Sequence, residues 1–191
     1  PGVGKTYLCE ENLAPLFYDR TVGEKQCSLD RFERIIKQSD ESEELEQTKV
    51  VMEFVQFHAS YDYEDFIRGY RPTVSTGEGE NKTDGLGFEL RDGPFARMAT
   101  LAILYPHIRF ILVVDEINRA DIARVMGEAI YLLDRRISKD DIEKVWEGSK
   151  KGAIRLRYSP STSENTEVPW GKEIKNDILL DRLFLTENFH L

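Results

Sequence analysis

Apolar positions along the chain fall into short, sharply bounded groups. Residues 7–16 read as a helix that stops near Pro15, directly after a Gly-rich turn over residues 1–6. Leu29, Phe32, Ile35 and Ile36 recur at helical spacing and predict an amphipathic helix inside the otherwise polar stretch 19–49. The acidic run over 40–46 reads as a solvated helix face or loop. Residues 50–57 are apolar and partly β-branched, which suits a strand. An aromatic segment follows over 61–70, with a short helix predicted around 63–67. Residues 73–87, rich in Gly, Ser, Thr and Asn, read as an exposed loop. Asp92-Gly93 favours a tight turn and predicts a small hairpin over 88–95. Residues 96–105 then read as a helix ended near Pro106.

The stretch 108–114 is almost continuously apolar, as a strand buried on both faces of a parallel sheet is. A helix is predicted over 121–133, with Ile122, Met126, Ile130 and Leu133 on one face and Asp121 near its cap. Alternation over 153–158 predicts a strand, a polar loop covers 159–166, and a further strand begins within 184–191. No internal repeat is present. Helices alternating with buried strands argue for an α/β layer fold with a central parallel sheet.

Composition narrows the function more than the fold. The 191 residues amount to one domain, with just room for two small ones. The longest apolar run, 110–114, falls far short of the roughly 18 residues that cross a membrane. The chain opens on Pro1-Gly2, so no secretory leader is expected, and its first residue suggests a fragment or a processed chain. A net charge of −9 does not suit a nucleic-acid backbone as the main partner. Cys9 and Cys27 are too few and too poorly spaced for a metal knuckle and read as the reduced cysteines of a cytoplasmic protein. His58, His107 and His190 lie far apart without zinc-ligand spacing and read as structural.

Two motifs carry chemistry. The first is Gly2-Val3-Gly4-Lys5-Thr6 followed by Tyr7 and a helix. A phosphate loop needs inward-pointing backbone amides, which Gly permits, and a helix N-terminus favours the anion. Lys5 would reach the outer phosphates, and the Thr6 hydroxyl would ligate Mg²⁺. The opening Gly of the full pattern would lie two positions before Pro1. The second motif is a hydrophobic strand, 111–114, ending in Asp115-Glu116. Asp115 would hold the metal, and Glu116 would polarise the attacking water. Each motif alone is a modest signal. Together, in this order, they predict a P-loop site that hydrolyses a nucleoside triphosphate. Asn118 is either an orienter of Glu116 or water, or a helix cap. Arg119 is either a phosphate or subunit contact, or a surface residue. The segment from Phe54 to Pro72 is either aromatic packing under a loop or a ligand or subunit contact.

Four blocks together resemble the McrB family of AAA+ GTPases, the motor subunits of methylcytosine-specific restriction systems. They are Pro1-Gly2-Val3-Gly4-Lys5-Thr6; the run from Val55 to Pro72, which includes Gln56-Phe57-His58, Ser60-Tyr61-Asp62-Tyr63-Glu64-Asp65-Phe66-Ile67 and Gly69-Tyr70-Arg71-Pro72; Arg91-Asp92-Gly93-Pro94-Phe95; and Val113 to Ala120, which includes Asp115-Glu116-Ile117-Asn118-Arg119-Ala120, continuing through Val125-Met126-Gly127-Glu128. Leu156-Arg157-Tyr158-Ser159 and Val168-Pro169 also look like family segments, whereas 19–49 matches least. The resemblance implies an AAA+ P-loop αβα core, a ring oligomer (hexamers are typical), GTP rather than ATP as fuel, and a McrC-like nuclease partner. It assigns Gly2, Gly4, Lys5 and Thr6 to phosphates and Mg²⁺, and Val3 and Tyr7 lie in the same nucleotide-binding segment. Asp115 and Glu116 become the metal and water residues, with Asn118 and Arg119 in a motif near the active site. The family's sensor segment, helical lid and N-terminal DNA reader are not among these residues, so the segment by itself is expected to hydrolyse nucleotide weakly. GTP preference rests on the resemblance alone. Three alternatives remain: an ATP-fuelled MoxR-like remodeller, which shares Asp115 to Ala120; a ring module that binds nucleotide without hydrolysing it; and direct DNA binding, which the net charge disfavours.

Overall fold

A computed structural model describes residues 4–38, 42–74, 86–147, 149–158 and 182–191. The chain starts with one helical run of changing pitch: α1 (Lys5–Leu8), a π-helical segment Cys9–Leu13, and a 3-10 turn Ala14–Phe17. The run ends at Phe17, close to the stop expected near Pro15, which sits at the start of the 3-10 turn, where a missing N–H is tolerated.

The remaining elements in order are β1 (Lys25–Cys27), α2 (Leu29–Gln38), α3 (Glu43–Gln47) and β2 (Thr48–Gln56). They continue with α4 (Tyr63–Phe66), β3 (Arg68–Val74), β4 (Leu86–Asp92), α5 (Pro94–Leu104) and β5 (Arg109–Asp115). Then come α6 (Ile122–Met126), a 3-10 segment Gly127–Leu132, β6 (Arg136–Ile137) and α7 (Lys139–Trp146). Last are β7 (Ile154–Arg155), β8 (Arg182–Leu183), β9 (Leu185–Thr186) and β10 (Phe189–His190).

The central sheet has the order β1-β2-β5-β10 and is parallel throughout. Its middle pair runs in register from Val50↔Arg109 to Gln56↔Asp115. Both faces of this pair are covered. On one side Val51, Phe110 and Leu112 enter the main core with Phe32 and Ile36 of α2 and Met98, Leu101 and Ala102 of α5. On the other, Val50, Met52 and Ile111 pack against Ala14, with Cys9, Phe54 and Val113 at the margin. Helices thus lie on both faces of a parallel sheet, a mixed α/β architecture. The helical spacing at 29–36 is borne out, because Leu29, Phe32, Ile35 and Ile36 are all buried in α2. Each such side chain contributes roughly 1.5–3 kcal/mol on leaving water.

One buried amide fixes how α5 enters the sheet. Asn188, in the turn between β9 and β10, is 2% exposed. Its Nδ2 donates towards the carbonyls of Ala102 (3.0 Å), Tyr105 (3.2 Å) and Ile108 (2.8 Å). These are carbonyls from the end of α5 and the turn into β5, which have no partner within the helix.

Three expectations are corrected. The hairpin is not at 88–95: β4 pairs antiparallel with β3 from Arg68↔Asp92 to Val74↔Leu86. Gly93 caps α5 with φ −75° instead of entering a tight turn. The helix expected over 121–133 ends at Met126, because Gly127 takes φ 49° and ψ −131°. The buried set there is Val125, Met126, Ala129 and Leu132, while Ile122 and Ile130 are exposed. The strands expected over 153–158 and 184–191 shrink to β7 and to the pair β9 and β10. The segments 75–85 and 159–166, together with Val168-Pro169, lie outside the described residues.

Candidate functional site

The helical run that follows the first motif packs on the sheet whose middle strand ends in the second. Phe17, at the far end of the helical run, stacks on His190 with centroids 5.4 Å apart, and the Arg109 guanidinium lies 5.7 Å from the Phe17 ring centre. Arg109 opens β5, so the run ends where that strand begins. The run 5–17 and the strand are each roughly 20 Å long at ordinary helical and extended rises. Between its ends the run packs on the sheet, with Ala14 buried against Val50, Met52 and Ile111 and Cys9 at the margin of the same cluster. Gly4, just before α1, takes φ 107°, a conformation open to glycine, and its carbonyl accepts the Leu8 amide at 2.7 Å. Lys5 and Thr6 open α1, and Tyr7 is exposed. Gly2 and Val3 lie outside the described residues.

At the end of β5 the chain turns sharply. The Glu116 N–H donates to Asp115 Oδ1 (2.9 Å), which holds that carboxylate against the strand terminus. Glu116 takes φ 53° and is the one non-glycine residue with positive φ among the described residues. Such a backbone costs on the order of 1–3 kcal/mol and clusters at functional sites. The turn Ile117–Arg119 follows, with the Arg119 amide bonded to the Glu116 carbonyl (2.8 Å). The Arg119 side chain also pairs with Glu116, Nε to Oε2 at 3.2 Å. Asn118 is exposed and does not cap α6. Asp121 performs that role, accepting from the amides of Ala123 and Arg124.

The neighbouring strand ends alongside. Gln56 is level with Asp115, and the Phe57 amide donates to the Asp115 carbonyl (3.0 Å). Phe57 and Phe66 are buried, and Tyr61 stacks on Phe57 at 5.0 Å. Burial, helped by nearby Asp65, pushes the Tyr61 phenol up to about 12. Most aromatics of this block are therefore packing residues, while His58, bonded through Nδ1 to Ser60 Oγ (3.0 Å), stays exposed.

Several contacts in the block could not be found from residue patterns, because their partners are distant in sequence. Arg68, buried at 6% exposure, bonds both carboxylate oxygens of Asp92 and the Tyr158 carbonyl (3.3 Å). The Tyr63 hydroxyl donates to Glu128 (2.6 Å), and burial together with that bond raises its phenol far above the ordinary value. Tyr158 reaches back to Glu64 (2.8 Å). The residue types offered one hint, a Gly-Glu pair beside a helix, without a role.

The chain is 36% identical over 115 residues to the Type IV methyl-directed restriction enzyme EcoKMcrB subunit of Escherichia coli (strain K12), a match covering 60% of this chain and 20% of that protein. Over this stretch the chain is similar to that McrB subunit. A second relative, the Type II restriction enzyme BsuMI component YdiS of Bacillus subtilis (strain 168), is 32% identical over 96 residues, covering 42% of the chain and 28% of that protein. The matched stretch thus covers less than a third of either relative's length. No protein-family profile matches it. Among the described residues no helix is long and apolar enough to cross a membrane.

Proposed function

We propose that the chain is the nucleotide-binding core of an AAA+ P-loop NTPase, the GTP-hydrolysing motor of a McrB-like DNA restriction system. The observation that supports this reading is the tight Asp115-Glu116 turn at the C-terminal end of the central strand of a parallel sheet, with the helical run that follows Gly4 packed on that sheet. Ligands of open α/β sheets bind outside the carboxyl ends of the strands.

In this reading the amides around Gly2, Val3 and Gly4 cradle the phosphates, Lys5 neutralises the outer ones, and Tyr7 borders the nucleotide. Asp115 and the Thr6 hydroxyl would hold Mg²⁺, which would neutralise charge on the β- and γ-phosphate oxygens. The donors fit such an ion: the Asp115 carboxylate is fixed at the edge by the Glu116 amide. Among the described residues no group of three or more His, Cys, Asp or Glu could hold a metal alone. That suits an ion carried mostly by phosphates and water. Glu116 accepts a proton from water as the water oxygen bonds to the γ-phosphorus. The bond from that phosphorus to the bridging oxygen breaks, and nucleoside diphosphate and phosphate leave. Asn118 orients the water or Glu116, and Arg119 shifts from Glu116 to the charge developing on phosphate.

The similarity to restriction-enzyme components extends the proposal to a ring oligomer, typically a hexamer, a McrC-like nuclease partner, and DNA engaged through the complete protein in the cytoplasm. GTP and ATP turnover by the full-length protein tests the fuel, and a clear preference for ATP refutes the GTP assignment. Glu116→Gln is expected to lower turnover by about 100-fold or more, the scale on which a lost catalytic base and a misoriented water are felt. Unchanged turnover sinks the site.

A further inference from the structure

The two loops at the catalytic edge are joined behind it. One loop, 57–62, leaves β2 and runs into α4; the other, 116–121, leaves β5 and runs into α6. Asp62 caps α4 by accepting the Glu64 amide (3.0 Å) through Oδ1, and its Oδ2 meets Arg124 of α6 at 3.3 Å. One residue on, the Tyr63 hydroxyl donates to Glu128 Oε1 at 2.6 Å. The Arg157 amide donates to the same Oε1 (2.9 Å) and lies 3.2 Å from the tyrosine oxygen. The Arg157 guanidinium covers the Tyr63 ring at 4.3 Å. Gly127 makes room for this: a Cβ there would lie 2.9 Å from Tyr63 Cδ2 and would be strained at φ +49°.

We propose that Asp62-Arg124 and Tyr63-Glu128 form a clamp that positions the Glu116–Arg119 turn for hydrolysis, so that the aromatic block and the Gly127-Glu128 pair work as one unit. The proposal rests on the hydrolytic function argued above. Tyr63 is 2% exposed and its hydroxyl is engaged by both Glu128 and Arg157, so it acts through its neighbours and not on substrate. The clamp holds the chain on both sides of Gly127, through Arg124 in α6 and Glu128 in the 3-10 segment that follows it. Asp121, the cap of that helix, lies two residues beyond Arg119. A helix pinned through Arg124, and again just past its end through Glu128, resists pivoting, and so does the turn leading into it. The helical run packs on one face of the sheet through Ala14, whereas Tyr63 belongs to the core on the other face. Breaking it should therefore lower kcat and spare nucleotide affinity.

The test uses the full-length protein, steady-state GTP turnover, and equilibrium binding of a methylanthraniloyl-GTP probe. Tyr63→Phe removes the hydroxyl and is expected to lower kcat by about 10-fold or more, since misplacing a catalytic group by about 1 Å can cost roughly 100-fold. Probe affinity should stay within about 3-fold, because uniform binding is not what is lost. Glu128→Gln keeps an acceptor for the tyrosine and should retain most of the turnover. Arg124→Ala removes an exposed pair of small energetic weight, so it should fold normally and still lose about 3-fold or more in kcat. Wild-type kcat in folded Tyr63→Phe overturns the clamp, as does a parallel fall in kcat and affinity. If Tyr63→Phe does not fold, Arg124→Ala decides, and unchanged turnover overturns the clamp. Glu116→Gln is run alongside. Full activity in that variant refutes the hydrolytic site itself, whereas an inactive Glu116→Gln beside unaffected clamp variants refutes the clamp alone.

Discussion

Asn188→Ala removes a single amide from the junction of α5, β5 and β10. The two N–H groups of that amide are shared among the carbonyls of Ala102, Tyr105 and Ile108. Two hydrogen bonds are worth roughly 1 kcal/mol each net, and weakened satisfaction of the buried carbonyls adds to that, although Tyr105 keeps the Ile108 amide, for a total of about 2–4 kcal/mol. For a chain of this length the loss corresponds to a fall in Tm of roughly 4–16 °C. Asn188→Asp should be worse than Ala, because it sets a carboxylate against three carbonyl oxygens with no donor to offer. Urea unfolding followed by circular dichroism checks both variants. The expected result is a lower midpoint at unchanged m, in the order wild type, Ala, Asp. A loss below about 1 kcal/mol in Ala, or an Asp variant as stable as Ala, refutes the claim that this amide carries the junction.

Other outcomes follow from the same coordinates. Arg68→Ala leaves the Asp92 carboxylate, itself only 17% exposed, without its cation, and should cost about 3–5 kcal/mol in the same unfolding assay; a loss within error would contradict that pairing. Burial, with Arg109 and Arg136 close by, holds the His190 imidazole below its ordinary value of 6.5. The unfolded chain therefore takes up a proton first as pH falls through 6.5, so stability drops on acidification and is unaffected by this group above that pH. His190→Phe should flatten this part of the profile, and an identical profile would refute it. Burial pushes the Cys27 thiol up to about 12, so in the folded chain at pH 8 a thiol reagent should label Cys9 and spare Cys27 until denaturant is added. Equal labelling of both would show that Cys27 is not enclosed.

What could be read from residue order was whatever depended on near neighbours. The strands at 50–57 and 108–114 declared themselves because both faces are buried, leaving no polar alternation to confuse them. Asp115-Glu116 was legible because a strand's end and two acids are contiguous. The false hairpin came from reading Asp92-Gly93 as a turn, when Gly93 has an extended backbone and starts a helix. The misjudged face of 121–133 came from assuming one straight helix, which Gly127 interrupts. Tyr63-Glu128 and Asn188-Ile108 join residues 65 and 80 positions apart, and no local pattern reports on such pairs. The strain at Glu116 was hidden as well, since nothing about a glutamate announces a left-handed backbone.

The placement of β10 beside β5 has a kinetic consequence. During synthesis the apolar strand 109–115 emerges long before the residues that cover its outer edge, and the amide that seals its approach follows Ile108 by 80 positions. Until then the nascent chain exposes a hydrophobic strand with an unpaired edge, a template for pairing with other chains. Closure over so long a loop is intrinsically slow. The yield of correctly folded protein should therefore be set by how long this strand waits for its neighbour, and a chaperone that shields strand edges should help most in that interval.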